Sequence, residues 1–132
     1  MNWISLKLVL IISVIFILQV LYQPLTDMLL LISSDAVSRP WILVTSIFLH
    51  GDTMHLLYNM LALATFGSIL EKIIGERRFL IIFFVTGIIS SIAAAFLYSH
   101  VLGASGAVFG VIGTLALLRP RMAVWALGVP MP

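Results

Sequence analysis

The sequence predicts an all-α protein: a polytopic bundle of membrane helices, forming one domain over residues 1–132. Three observations lead there. Hydrophobic residues make up 62% of the chain and charged residues 9%, against about 45–50% and about 25% in soluble domains. So few charges cannot cover a water-facing surface. The apolar residues also fall into runs near the roughly 20 residues that cross a hydrocarbon core, each closed by Pro, Gly or charge. No polar linker divides the chain. The formal charge of +2 is small and scattered, which excludes nucleic acid as a partner. Cysteine is absent, so disulfides and thiolate metal sites are excluded too.

The first predicted helix covers residues 3–22. Lys7 is its only charge, and Trp3 and Tyr22 mark its ends as interfacial aromatics do. Its apolar run exceeds a signal-peptide core and lacks a small-residue cleavage site, so it reads as an uncleaved span. Pro24 stops it. Residues 24–49 read as a connector whose apolar patch, Met28 to Ile32, is too short to span. The second helix covers 53–74, with Asp52 or Thr53 as its cap and Gly75 as its breaker.

The third helix covers 79–98 and carries Gly87, Ser90, Ser91 and three alanines, small residues that let helices approach closely in lipid. The fourth covers 105–118, about 21 Å at 1.5 Å per residue, too short to cross from surface to surface. Its start should therefore lie below the membrane surface, with the loop before it dipping inward against protein or a wet cavity. Residues 121–132 open a partial fifth helix. If each span crosses once, Lys7, Lys72, Arg77, Arg78, Arg119 and Arg121 share one side, and Arg39 stands alone on the other. The positive-inside rule then makes the amino terminus cytoplasmic and sends His50, His55 and Ser105 toward the outer leaflet.

The chemistry centres on GASGAVFG, Gly103 to Gly110. Ser105 has a glycine two residues before it and another directly after it, so backbone can approach closely. A hydroxyl at a helix start can be a cap, and one in a glycine-flanked turn can be a nucleophile. The second polar cluster is His50, His55 and Asn59. His55 and Asn59 are four apart and share a helix face. Polar groups inside a membrane hydrogen-bond across helices or serve a site. For His50 the plainer role is preferred: packing across helices or a place at the interface. With no inward carboxylate or cysteine beside them, the histidines make a poor metal set, and no metal or other cofactor is expected.

The run FLHGDTMHLLYN (Phe48 to Asn59), Glu71 with Gly75, and then GASGAVFG resemble the rhomboid family of intramembrane serine proteases over roughly residues 39–118. The resemblance implies a six-helix core in which Ser105 is the nucleophile. It implies that His55, Asn59 and the Ser105 backbone N–H hold the oxyanion. Glycines 103, 106, 110 and 113 (Gly103, Gly106, Gly110, Gly113) would serve close helix packing, and Phe109 would stand for an aromatic near the catalytic histidine. Substrates would be transmembrane proteins in a lipid bilayer, and the expected home is a prokaryotic plasma membrane.

The family's base is a histidine on the sixth helix, whereas no His or Lys follows Ser105 here. The chain is therefore expected to be the amino-terminal part of such a protease, inactive alone. The alternative is a rhomboid-like pseudoprotease that binds transmembrane helices without cutting them.

Overall fold

Hydrophobic length sets the framework. The computed structural model describes residues 2–122. Three of its helical stretches are long and apolar enough to cross a membrane: α1 (Ile4–Leu21), the stretch Thr53–Ile74, and Glu76–Leu97. At 1.5 Å per residue they measure about 27, 33 and 33 Å. The connector is more ordered than a plain loop. It holds α2 (Pro24–Leu29), a two-residue strand β1 (Leu31–Ile32), a 3₁₀ turn (Ser33–Asp35), α3 (Ile42–Thr45) and a second 3₁₀ turn (Ser46–Phe48). The membrane stretch Thr53–Ile74 consists of α4 (Thr53–Ala62), a π-helical turn (Leu63–Gly67) and α5 (Ser68–Ile74). Then come α6 (Glu76–Leu97), strand β2 (His100–Val101) and the 14-residue α7 (Ser105–Leu118). The partial helix predicted over 121–132 lies outside the described residues except for Arg121 and Met122.

Each end of a span has a local cause. Gly75 has φ +90°, a conformation that L side chains rarely adopt, and it separates α5 from α6. Because the glycine makes the whole turn by itself, α6 begins at Glu76, three residues before the predicted start. Asp52 caps α4: its carboxylate accepts the His55 N–H at 2.8 Å. Of the two candidate caps, the aspartate is the one used.

Packing follows stripes of buried residues on helices that otherwise expose apolar side chains. On α1 the stripe is Ser5, Leu8, Ile12 and Gln19. On α6 it is Phe79, Phe83, Gly87 and Ser91, one every fourth residue. α1 crosses the long helix at its π-turn, where a Cβ on Gly67 would come within 3.1 Å of the Ser5 Cβ. α6 and α7 lie flush. A side chain at Gly106 would collide with Ser90, and one at Gly110 with Thr86. A Cβ at Gly113, in contrast, would meet open space among the described residues.

The polar residues at the two ends of the α1 stripe pin it to opposite ends of the bundle. At one end the fully buried Glu71 accepts hydrogen bonds from Ile4 N–H, Ser5 N–H and Ser5 Oγ, each at 2.8 Å. Those N–H groups belong to the first turn of α1, which has no intrahelical partners to offer them. The carboxyl of Glu71 is thus a helix cap supplied from another helix. At the other end Gln19 reaches the loop that enters α4.

Candidate active site

The connector holds the loop that leads into α7. β1 and β2 pair antiparallel, Leu31 opposite Val101 and Ile32 opposite His100. Ser33 N–H adds a bond to Ser99 C=O at 3.0 Å, and Gly103 N–H donates to Ser46 C=O at 2.9 Å. Backbone pairing of this kind satisfies groups that would be costly to leave bare at membrane depth. Within this frame Gly103 takes φ +118°, so the turn can pass under the His55 ring. A Cβ at Gly103 would sit 2.7 Å from His55 Cε1. The glycine is required twice, by conformation and by space.

Ala104 is fully buried, and its N–H donates to His50 Nε2 at 3.4 Å. His50, 1% exposed, lies edge-on to His55 with ring centroids 5.0 Å apart. His50 is thus packed between His55 of α4 and the loop that leads into α7. Burial in the first place, then His55 alongside, lowers its pKa to about 4 against the pull of Asp52. The ring is thus neutral at physiological pH. With Nε2 accepting, the proton sits on Nδ1, which is buried and has no partner among the described residues.

Ser105 opens α7 as its first helical residue, half-buried, and Ala104 occupies the cap position without a side-chain cap bond. Among the described residues the Ser105 hydroxyl makes no hydrogen bond, so it is not spent as a cap. It lines a cavity of about 120 Å³ together with Ser46, Ser90, Ser91, Gly103 and Gly106. Asn59 is buried at 7% exposure and donates from Nδ2 to the His55 C=O at 3.0 Å, one of its two N–H donors. His55 and Asn59 thus occupy neighbouring turns of α4 beside the loop, and Phe109 is 71% exposed on the outer side of α7. His100 is exposed and bonds to Ser99 Oγ at 3.1 Å.

The Rhomboid domain family model matches residues 37–132. The chain belongs to the rhomboid family. Over 93 residues it is 42% identical to Rhomboid protease GluP of Bacillus subtilis, an alignment covering 67% of this chain and 18% of that protein. It is also 42% identical over 77 residues to the Putative rhomboid protease YdcA of the same organism, covering 55% and 38%. Rhomboid protein 1, mitochondrial, of Saccharomyces cerevisiae is 32% identical over 111 residues, covering 78% of this chain and 32% of the relative. The chain thus spans well under half the length of these curated relatives. As a rhomboid it is an integral membrane protein, and its apolar helices agree.

Sequence reasoning passed over Gln19. Its Nε2 donates to His50 C=O at 3.1 Å and to Thr26 Oγ1 at 3.0 Å, while its Oε1 accepts His50 N–H at 3.1 Å. A usable signal existed. Gln19 lies seven and eleven residues beyond Ile12 and Leu8, on the same helix face, so an amide there points inward. In a membrane helix that position marks a polar contact.

Proposed function

We propose that this chain carries the nucleophile and oxyanion half of a rhomboid serine protease acting on peptide bonds in or beside the transmembrane helices of its substrates. The observation that carries the reading is the Gly103–Ser105 turn. It is drawn under the His55 ring by a left-handed glycine and leaves the Ser105 hydroxyl without a hydrogen bond among the described residues. A structural serine at a helix start would cap it, and this one does not.

In this mechanism Ser105 Oγ attacks the substrate carbonyl carbon and its proton passes to a base. The oxyanion that forms is met by His55, Asn59 and the Ser105 N–H. That N–H belongs to the first turn of α7 and has no intrahelical acceptor. Collapse of the tetrahedral intermediate breaks the C–N bond as the base returns the proton to the leaving amine. None of the three histidines follows Ser105; in this reading none of them is the base, and residues 1–132 alone do not cut. Phe109, exposed on α7, is where a base-bearing helix would pack. The same reading has α7 as a fourth, partly immersed span and the amino terminus in the cytoplasm of a prokaryotic cell.

The test is cleavage of a helix-destabilised transmembrane substrate by the product of the whole gene. Ser105→Ala should abolish cleavage, and Asn59→Ala should slow it by about 10²–10³, the usual effect of losing one oxyanion donor. Full activity in Ser105→Ala would overturn the nucleophile assignment. Binding of substrate helices without any Ser105-dependent cleavage would identify a pseudoprotease.

A further inference from the structure

We propose that Gln19 is a positioning residue. Acting through His50, it sets where the Gly103–Ser105 turn sits beneath His55. The inference rests on the reading of Ser105 as nucleophile only for its consequence in catalysis; the mechanical link stands on geometry.

Gln19 is 6% exposed, and both ends of its amide are engaged with His50. Its Oε1 takes the His50 N–H and its Nε2 gives to the His50 C=O, both at 3.1 Å, so the backbone of one loop residue is gripped on both sides. A third bond runs from Nε2 to Thr26 Oγ1 of α2 at 3.0 Å, beside the two to His50. His50 precedes the Asp52 cap of α4 and has no regular structure around it. With both of its backbone groups held, the Cα from which its side chain extends is fixed in place. That side chain then meets the turn: Nε2 accepts the Ala104 N–H at 3.4 Å.

The linkage therefore runs from α1 to the residue before Ser105 through two side chains. At 3.4 Å the last bond is near the long limit. It is sensitive to any shift of His50. A cavity of about 170 Å³, lined by Phe16, Gln19, Val20, Thr26, His50 and Gly51, leaves room for that shift once the amide is gone. Packing alone does not hold His50 in place.

The test is amide hydrogen exchange across the segment containing Gly103 and Ala104, measured on the protein in detergent. Gln19→Met keeps the length and removes every hydrogen bond. It should speed exchange at Ala104 about tenfold, equivalent to one or two net hydrogen bonds. Ile12→Val, on the same buried stripe of α1 and without polar contacts, is the control for general loosening. It should leave that segment within twofold. Thr26→Val should do the same, because both His50 bonds remain.

Should Gln19→Met fail to fold, Gln19→Asn carries the same groups one methylene short and should show the same local effect. Equal exchange at Ala104 in the Gln19 and Ile12 variants would overturn the proposal. In the whole gene product, Gln19→Met should lower kcat about tenfold with KM within twofold, because the nucleophile moves and the substrate contacts do not. A raised KM at unchanged kcat would contradict it. If wild type shows no Ser105-dependent cleavage, the nucleophile reading fails, while exchange still decides the role of Gln19.

Discussion

The two ends of the bundle treat buried polar groups in opposite ways. At the Glu71 end the carboxylates are met: that of Glu71 takes two backbone N–H groups and one hydroxyl of α1, and that of the exposed Glu76 takes Asn2 N–H at 2.7 Å. At the His50 end His50 is just as enclosed and Ser105 half-buried, and both are incompletely paired among the described residues. Among the described residues His50 Nδ1 has no partner, and the Ser105 hydroxyl borders a cavity. Saturation, more than burial, separates the two ends. A buried polar atom left unpaired is costly, and such atoms persist where a substrate or a proton needs them.

The comparison breaks most visibly if Glu71 is removed. Glu71→Ala leaves three donors at the start of α1 without an acceptor, at about 1–3 kcal/mol each if water cannot reach them. We expect the largest loss of thermal stability of any single substitution in the described residues, at least about 3 kcal/mol by unfolding in detergent. A loss comparable to that of an exposed polar residue would mean that the cap does not hold α1.

Next in size are the α6–α7 glycines. Gly106→Ala and Gly110→Ala should each cost about 1–3 kcal/mol, because Ser90 and Thr86 stand where the new methyl would go. Gly113→Ala meets open space among the described residues. It should be neutral, or stabilising by up to about 1 kcal/mol through helix propensity. Equal effects at all three positions would show that the helices are not in contact along this line.

The pH dependence of stability sharpens the His50 side. The folded pKa of about 4 lies below the ordinary 6.5. As pH falls the unfolded chain therefore takes up the proton first, and stability should decline from about pH 6.5 towards 4. Melting temperatures across that range should fall by a few degrees in wild type and by less in His50→Asn. An identical slope in both would show that His50 is not held neutral.

Much of this division was legible in the sequence, and its gaps have physical causes. The all-α membrane class followed from apolar runs and scarce charge, because lipid leaves a spanning chain few other ways to satisfy its backbone. The polar cluster at His55, Asn59 and Ser105 stood out because such residues are rare inside apolar helices. The connector was read as plain because its order comes from partners far along the chain. β1 needs β2 some 70 residues later, and two-residue strands leave no period in the sequence. Ser5 and Gln19 were passed over because each looks like one tolerated polar residue in a long span. Only their shared face and their distant partners, Glu71 and His50, show what they do. The role of Gly75 was plain from its type, yet the start of α6 was misplaced, since a charged triplet beside a glycine resembles a loop as much as a helix end.

The central claim is that the two ends serve different purposes, and one paired measurement addresses it. In the whole gene product, melting temperature and covalent labelling by a fluorophosphonate would be recorded together for wild type, Ser105→Ala and Glu71→Ala. The account predicts that Ser105→Ala loses all labelling and keeps the wild-type melting temperature. Glu71→Ala should lose stability, and below its lowered melting temperature it should still label at Ser105. Labelling that survives in Ser105→Ala, or a fall in its melting temperature as large as that of Glu71→Ala, would contradict the account.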